Sequence, residues 1–347
     1  MFEEMVKKPA GWINGEGEES SVVLSSRIRL ARNIAGVKFP NSAEPDVREK
    51  LLELFDSAVA KSEFLQHGTF YRTAGMDRTN SSFLVERHLI SPTMLDHLDG
   101  SGVYIASGEQ VSIMVNEEDH LRIQALTSGL EMDRTMELAS QYDNEVGRLL
   151  EYDYDSDFGF LTACPTNVGT GLRASVLIHL PGLVLTREID KVIHKVTKIG
   201  LIVRGFYGEG TDVLGNLFQI SNQTTLGQSE NDILEAIERV TRTIIADEAT
   251  ARIRLKEEAY DQISDKIWRA YGILKHARVL SSEEVMNLLS AVRLGLAMGI
   301  IEMVSIATIN DILLLSQPAH LMKYYGEEMD TDRRDIVRAE MVREKLS

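Results

Sequence analysis

The change from strand-like to helix-like patterning along the chain constrains its fold most strongly. Between about residues 80 and 225 the sequence contains runs of alternating apolar residues. One of them, GVYIASGEQVSIMV at 102–115, has two halves that flank Gly108 and predict a β-hairpin. After Ser229 the apolar residues recur at helical spacing instead. Hairpin-forming strands with helices between them favour a largely antiparallel sheet, so we predict an α+β fold that is followed by a helical C-terminal part.

Local signals at the helix ends refine this prediction. Ser128 and Glu131 have the spacing of a capping box and predict a helix that begins at Ser128. Ser281 has a glutamate three residues later and predicts a second helix start. Within TINDILLLSQP, Pro318 is expected to end a short helix. The composition changes near residue 255, so we predict one domain over residues 1–255 and a helical domain over 256–347.

Composition and charge exclude several classes of protein. The chain has 347 residues, of which 53 are Asp or Glu and 37 are Lys or Arg, and its formal net charge of −16 disfavours direct nucleic-acid binding. No apolar stretch approaches the roughly 20 residues that span a bilayer, and the N-terminus lacks the apolar core of a signal peptide. Cys164 is the only cysteine, which excludes an internal disulfide. These features predict a cytoplasmic protein with no membrane contact.

Arginines stand at or near the ends of several strand-like runs. They are Arg27, Arg29, Arg122, Arg173 and Arg204. In an extended segment Arg27 and Arg29 share one face. Several converging guanidinium groups would form a site for a polyphosphate, although any one of them could equally be a surface residue in a weak salt bridge. The glycine-containing stretch NVGTG at 167–171 lacks the P-loop pattern and is weak evidence for phosphate binding.

Acidic residues accompany these arginines in VNEEDHLR, at 115–122, and in YGEG, at 207–210. They could bind magnesium, activate a nucleophile or orient a cationic substrate. A guanidinium substrate has a pKa of about 12.5–13.8 and reacts only where a carboxylate aims it and accepts its proton. The alternative is a solvated acidic loop.

Cys164 could be a small buried apolar residue, a thiolate beside a cation or, with less support, a hydrolase nucleophile.

Four motifs occur together in a fixed order. They are SSRIRLARN at 25–33, NEEDHLRIQ at 116–124, CPTNVGTGLRASV at 164–176 and VRGFYGEG at 203–210. With them the chain resembles the phosphagen (ATP:guanido) kinase family, and specifically its bacterial protein arginine kinase branch. The resemblance covers about residues 20 to 255 for the catalytic domain and essentially the whole chain for the branch. It implies transfer of the γ-phosphoryl group of ATP to arginine side chains of proteins, with Mg²⁺ held largely by phosphates and water rather than by a protein metal site.

The resemblance also implies a set of site residues. Glu118 is similar to the catalytic carboxylate, Glu209 to its partner across the guanidinium, and Cys164 to a residue beside the substrate. The implied nucleotide-binding residues are Ser25, Ser26, Arg27, Ile28, Arg29, His88, Arg122, Arg173, Ala174, Ser175, Val176, Leu177, Arg204, Gly205, Phe206, Tyr207 and Gly208. Tyr207 departs from the family pattern, because arginine-type members often have a basic residue there.

The last helix carries RDIVRA at 334–339, which resembles the phosphoarginine-binding motif of the same branch and implies allosteric control. Its four implied binding residues are Arg334, Asp335, Arg338 and Ala339. Arg334 and Arg338 are four residues apart and would share a helix face, and the alternative is a solvated helix with ion pairs.

The branch implies a stress-response role and several partners. These are arginine-containing protein substrates, an activator protein (McsA), a Clp ATPase/protease, a heat-shock repressor (CtsR) and a second copy of the chain in a homodimer. Little sequence precedes SSRIR, so we expect no family-type N-terminal lid and an open site that accepts arginine on a protein surface. Two other functions remain open: a kinase of a free guanidino compound, and a non-catalytic adaptor that reads phosphoarginine.

Overall fold

A twisted antiparallel sheet organises the chain. The computed structural model describes residues 2–205 and 214–347. The strands in these residues are β1 (Val23–Arg32), β2 (Thr69–Arg72), β3 (Gly102–Ile105), β4 (Val111–Val115), β5 (Leu121–Ser128), β6 (Tyr154–Asp155), β7 (Gly159–Phe160), β8 (Leu172–His179), β9 (Leu201–Gly205) and β10 (Leu217–Asn222). Eight of them form one sheet in the order β2-β3-β4-β5-β1-β8-β10-β9, and every neighbouring pair is antiparallel. β6 and β7 form a separate small hairpin.

Helices cover the sheet and make up the C-terminal part. Those in the described ranges are α1 (Pro45–Lys61), α2 (Arg78–Glu86), α3 (Met132–Leu149), α4 (Pro181–Leu185), α5 (Ile189–Lys198), α6 (Glu230–Glu258), α7 (Tyr260–His276), α8 (Ser282–Ala297), α9 (Ile306–Leu315), α10 (Pro318–Tyr325) and α11 (Thr331–Lys345). No helix in residues 2–205 and 214–347 is long and apolar enough to cross a membrane. The predicted α+β fold with a helical C-terminal region is confirmed.

The two faces of the sheet carry different side chains because successive residues of a strand point to opposite sides. On β1, Ile28 and Leu30 are fully buried in a core that also contains apolar residues of α1, α3, α5 and α6. Arg27 and Arg29 therefore point to the other face. β1 lies near the middle of the sheet, between β5 and β8, which places these two arginines at its centre.

That second face is partly covered by the C-terminal helices. A second core joins apolar residues of α7 to α11 with Trp12 near the N-terminus and with Leu24, Leu126 and Leu177 on three neighbouring strands. The two parts of the chain thus share a continuous core. Position 255 falls in the last turn of α6, and the helical path breaks at Ala259. The predicted domain division stays a prediction.

The predicted helix starts have mixed outcomes. The prediction at Ser128 is wrong, since this residue ends β5 and pairs with Ser25 of β1, and α3 begins at Met132 without a side-chain cap. The strand ladder outweighs the local capping signal, and Ser26 Oγ accepts the hydrogen bond from the Glu131 N–H at 3.0 Å. Ser281 does cap α8. The short helix α9 ends at Leu315, before Pro318, which instead occupies the first position of α10.

Candidate active site

Arginines gather on the open face of the sheet. Arg27 and Arg29 follow each other on that face of β1, and Arg29 lies directly opposite Arg173 in the pairing of β1 with β8. One cleft is lined by Arg27, Arg29, Arg122 of β5 and Arg204 of β9. Like charges that face each other across strands destabilise a sheet. Their accumulation here therefore indicates a site for an anionic ligand.

The electrostatics of these arginines support an anion site. Burial, followed by repulsion from Arg173 and Arg122, lowers the pKa of Arg27 to about 10. Burial and repulsion from its three arginine neighbours also lower the pKa of Arg29 well below its usual value. Arg27 Nη2 donates to Gln219 Oε1 at 3.0 Å, whereas the buried Nε of Arg29 has no hydrogen-bond partner in the described part of the chain. Phosphate oxygens would supply both the charge and the acceptors that this cluster needs.

His88 and Ser25 lie beside Arg27. A smaller cavity next to the cleft is lined by Ser25, Arg27, His88, Ser175 and Leu177, among others. Burial and then the charges of Arg27 and Arg29 lower the pKa of His88 to about 3. The imidazole is therefore neutral at pH 7 and offers a flat polar surface rather than a further positive charge.

Some residues that the family resemblance predicts to bind nucleotide do not bring their side chains to the cleft. Ile28, Ala174 and Val176 are fully buried in the core on the opposite face of the sheet. Ser26 Oγ is bound at that face too, where it donates to the Gly129 carbonyl at 2.9 Å. The alternation of strand side chains explains this outcome, because a contiguous motif can present only every second side chain to one ligand.

Glu117 and Glu118 lie in the turn between β4 and β5, and both contact Arg122. Glu117 is almost fully buried and accepts hydrogen bonds from Ser91 Oγ at 2.6 Å and from Arg122 Nη1 at 2.8 Å. Glu118 Oε2 lies 3.3 Å from Arg122 Nη2 and is more exposed. The predicted catalytic carboxylate is thus next to the arginine cluster.

Glu118 also contacts Cys164. Burial raises the pKa of Glu118 above its usual value, and the charge of Arg122 and a hydrogen bond from the Cys164 thiol oppose this rise. Cys164 Sγ lies 3.1 Å from Thr166 Oγ1. A carboxylate with a raised pKa at the edge of a cleft is suited to accept a proton from a substrate.

Asp119, the third acid of the motif, has a structural position. It is buried, and its Oδ1 accepts hydrogen bonds from Asn33 Nδ2 and from the Ala163 N–H, both at 2.7 Å. Asp119 therefore links β1 to the segment that carries Cys164. The next residue, His120, is also buried and accepts from the Ile34 N–H through Nδ1 at 3.0 Å.

Several predicted residues lie outside the described residues. These are Phe206, Tyr207, Gly208 and Glu209, which follow Gly205 at the end of β9. Within the described ranges no group of three or more His, Cys, Asp or Glu side chains could hold a metal ion. Mg²⁺ bound to nucleotide phosphates needs only one or two protein carboxylates. Glu117 and Glu118 beside the arginine cluster fit that requirement.

Part of the RDIVRA motif is buried. Arg338 is only 1% exposed, and its guanidinium donates to the carbonyl oxygens of Ser316 at 2.7 Å and Leu280 at 2.9 Å and to the carboxylate of Asp335. Ala339 is fully buried. Arg334, four residues earlier on the same helix, is less buried than Arg338, which α11 packs into the C-terminal core, and the implied phosphoarginine-binding role stays a prediction.

Sequence reasoning missed several residues that line the cleft. Gln124 and Gln219 interrupt otherwise apolar strands, and buried amides require partners, so their positions were a usable signal. Trp12 and Glu86 gave no local signal. Leu313, Leu314 and Gln317 also line the cleft, although they lie in the region that sequence patterning assigns to a separate helical domain.

Comparison with known proteins identifies the family. Residues 50–251 match the model of the ATP:guanido phosphotransferase C-terminal catalytic domain, and residues 260–347 match that of the protein-arginine kinase McsB C-terminal domain. The chain belongs to the protein-arginine kinase branch of the ATP:guanido phosphotransferase family. As a member of this family it is an ATP-dependent guanidino phosphotransferase.

Curated relatives and solved structures agree with this membership. The protein-arginine kinase of Symbiobacterium thermophilum is 46% identical over 97% of this chain and 96% of its own length. That of Desulforamulus reducens is 44% identical over 100% and 98%. A crystal structure of lombricine kinase superposes with a TM-score of 0.60 at 28% identity and covers 70% of each chain. A duplicated taurocyamine kinase from Schistosoma mansoni, with bound transition state analog components, gives 0.61 at 26% identity over 71% of this chain and 35% of its own.

Proposed function

We propose that this chain transfers the γ-phosphoryl group of ATP to arginine side chains of proteins. The observation that carries the proposal is the contact between Glu118 and Arg122, where a carboxylate with a raised pKa meets a cluster of arginines. The cluster suits a polyphosphate and the carboxylate suits a guanidinium. Curated relatives that match nearly the whole chain are named protein-arginine kinases. The last helix matches the same branch.

In the proposed reaction the arginine cluster holds the triphosphate. Arg27, Arg29, Arg122, Arg173 and Arg204 neutralise its charge and fix the γ-phosphorus next to Glu118. Mg²⁺, when bound to the phosphates beside Glu117 or Glu118, would supply further charge neutralisation.

The guanidinium of the substrate arginine binds beside Glu118, next to the arginine cluster. Glu118 orients one nitrogen toward the γ-phosphorus, with Glu209 as a second carboxylate across the guanidinium. A bond forms between that nitrogen and phosphorus, and the bond from phosphorus to the β,γ-bridging oxygen breaks. The proton of the nitrogen passes to Glu118, and ADP leaves. The Cys164 thiol, through its hydrogen bond to Glu118, tunes the basicity of this carboxylate.

Transfer of γ-labelled phosphate from MgATP tests the proposal directly. An arginine-rich protein and free arginine would be offered in parallel, and the product would be tested for the acid lability of a phosphorus–nitrogen bond. We expect acid-labile label on the protein, and we expect Glu118→Gln to abolish it. Glu151→Gln is the control and should retain the label, because Glu151 is an exposed carboxylate outside the cleft. Label on free arginine alone would contradict protein specificity and make the chain a small-molecule guanidino kinase.

The wider context is proposed from family membership. Phosphorylated proteins would be directed to a Clp ATPase/protease, the heat-shock repressor CtsR would be a substrate, and McsA would activate the kinase. The C-terminal helices would form the homodimer. RDIVRA would bind phosphoarginine through Arg334 and Asp335. Arg338 would contribute only if α11 shifts and exposes its side chain. Binding of a phosphoarginine peptide to Asp335→Ala, compared with the unaltered chain, tests the phosphoarginine site, and equal affinity would contradict it.

A further inference from the structure

A second cleft lies between the segment before β1, the C-terminal half of α6 and the end of α8. Among the residues that line it are Glu19, Ser21, Arg252, Lys256, Ala297 and Met298. It shares no lining residue with the cleft of the candidate active site. Arg252 and Lys256 are four residues apart on α6 and therefore lie on one face of that helix. This second cleft thus presents two neighbouring cations outside the active site.

Arg252 keeps one donor without an acceptor. Its Nε donates to Glu248 Oε1 at 2.7 Å. The Glu248 carboxylate is fully buried and also accepts hydrogen bonds from the N–H groups of Gly182 and Leu183, both at 2.9 Å. Nη2 of Arg252, by contrast, is buried and has no hydrogen-bond partner in the described part of the chain. A charged side chain that lines the second cleft therefore has an unused donor.

Arg293 of α8 adds a second buried guanidinium close to this cleft. It is only 3% exposed, and its Nη2 donates at 2.6 Å to the carbonyl of Ser20, the residue before Ser21. Its Nη1 donates to the side-chain oxygen of Asn310. Both acceptors are neutral, and Nε has no partner within residues 2–205 and 214–347. Arginine is almost never fully buried unless an anion pairs with it, so this position lacks the counter-ion that it needs.

The charges in this region do not balance. Burial and then the charge of Arg252 lower the pKa of Arg293 to about 9, so Arg293 remains charged at neutral pH. Burial and then the charges of Arg293 and Arg252 lower the pKa of His179 well below its usual value. His179 Nε2 is paired with Ser290 Oγ at 2.8 Å, but its buried Nδ1 has no partner among the described residues. Glu248 offsets one of the two guanidinium charges, and the other is left uncompensated.

We propose that the second cleft binds a small oxyanion of the phosphate type. Arg252 Nη2 and the Lys256 ammonium donate hydrogen bonds to its oxygens, and Arg293 stabilises its charge from the protein interior. The carboxylate of Glu19 lines the opposite wall and repels an anion, so the oxyanion lies on the α6 side of the cleft. The inference goes beyond the proposed function and does not depend on it.

Calorimetry with inorganic phosphate tests this site. The full chain would first be saturated with magnesium and a non-hydrolysable ATP analogue, so that the arginine cluster of the active site is occupied. Ionic strength would be held constant with chloride. We expect phosphate to bind to this complex, and we expect Lys256→Gln and Arg252→Lys each to weaken it about tenfold, as for one lost charge-assisted hydrogen bond. Arg252→Lys keeps a positive charge beside Glu248 and removes the Nη2 donor.

Arg239→Gln is the matched control. Arg239 is exposed on α6 and does not line the second cleft, so the substitution removes the same charge from the same helix and should leave phosphate affinity unchanged. Absence of phosphate binding to the saturated complex would overturn the inference. Unchanged affinity in both Lys256→Gln and Arg252→Lys, or equal weakening by Arg239→Gln, would overturn it too.

Failure of the ATP analogue to bind would be a separate result, since it would contradict the proposed function. Phosphate binding that is weakened by Lys256→Gln and Arg252→Lys but not by Arg239→Gln would still support the second cleft in that case.

Crystals soaked in selenate, a tetrahedral oxyanion with an anomalous signal, give an independent readout of position. An anomalous peak within hydrogen-bonding distance of Arg252 and Lys256 is expected in the unaltered chain, and Lys256→Gln should weaken it. Selenate peaks that occur only at other surfaces would overturn the assignment.

Discussion

Glu118 Oε2 and Arg122 Nη2 lie 3.3 Å apart at the turn between β4 and β5. Glu118 therefore already contacts a guanidinium group of its own chain, which is the chemical group of the proposed substrate. Arg122 in turn belongs to the arginine cluster, whose positive charges repel one another and favour the binding of an anion. In the proposed reaction Arg122 binds the phosphate donor and Glu118 binds the guanidinium acceptor. The donor and the acceptor therefore meet at this pair.

The pH dependence of activity should report on Glu118. Burial raises its pKa above the usual range, and a general base must be deprotonated, so kcat/KM should rise with pH through an acid limb above pH 4.5. The hydrogen bond from Cys164 lowers this pKa. Removing it in Cys164→Ala should raise the pKa further and move the acid limb to higher pH.

Cys164→Ser is the matched control for that profile. The serine hydroxyl can donate to Glu118 in place of the thiol, so the acid limb should stay closer to that of the unaltered chain. An acid limb at the same pH in Cys164→Ala and in the unaltered chain would contradict a coupling between the two side chains.

Arg29 should lower the stability of the protein when no anion is bound. Burial and three arginine neighbours lower its pKa relative to that of the unfolded chain, so the buried charge destabilises the folded chain at every pH below the ordinary arginine pKa, neutral pH included. Arg29→Met should therefore raise the free energy of unfolding by roughly 1–3 kcal/mol. It should also reduce the stabilisation that ATP confers by binding the folded state.

Thermal unfolding with and without ATP checks this prediction. Arg148→Met is the control, since that side chain is 78% exposed and should affect neither quantity. Loss of stability in Arg29→Met would contradict the view that this position is maintained for binding at the expense of stability.

Asp119 should act as a positioning residue. Asp119→Ala leaves Asn33 Nδ2 and the Ala163 N–H without their acceptor in the interior, so the free energy of unfolding should fall by roughly 2–4 kcal/mol. Because Ala163 precedes Cys164, kcat/KM should fall as well, and the acid limb of the profile should shift. Asp157→Ala, at an exposed position, should change none of these; equal effects of the two substitutions would contradict the assignment.

The two arginines of RDIVRA should differ sharply in their effect on stability. Arg338 is buried and bonded to two carbonyls and a carboxylate, so Arg338→Met should lower the free energy of unfolding by roughly 3–5 kcal/mol. Arg334 bonds only to Thr331 among the contacts described for it, and Arg334→Met should stay within about 0.5 kcal/mol. Chemical denaturation measures both, and equal costs would contradict the distinction.

The alternation of residues within a strand predicted correctly which side chains share a face of the sheet. Alternation in SSRIR places Arg27 and Arg29 on one face, and the strand register confirms it, with Arg27 opposite Ser175 and Arg29 opposite Arg173 across β8. The same alternation shows why a contiguous motif overstates a binding site: Ile28, between the two arginines, belongs to the opposite core.

Long-range packing determines the features that the sequence does not reveal. Ser128 has a good capping sequence, but pairing of β5 with β1 outweighs it. Leu314 and Gln317 line the same cleft as Glu86, which lies more than two hundred residues earlier and binds the start of α10. No periodicity within either segment encodes that contact. The buried guanidinium of Arg338 likewise bonds to carbonyls that are distant in sequence, those of Leu280 before α8 and Ser316 after α9.

Single-turnover transfer with saturating MgATP and an arginine-containing protein tests the central claim most directly. The unaltered chain and Glu118→Gln would be compared by rapid quench, with ATP affinity measured on the same samples. We predict that the variant keeps its ATP affinity within about twofold while the rate of transfer to arginine falls by roughly 10²–10⁴. An unchanged transfer rate in Glu118→Gln, with ATP bound, would contradict the assignment of the reacting site to the contact between Glu118 and Arg122.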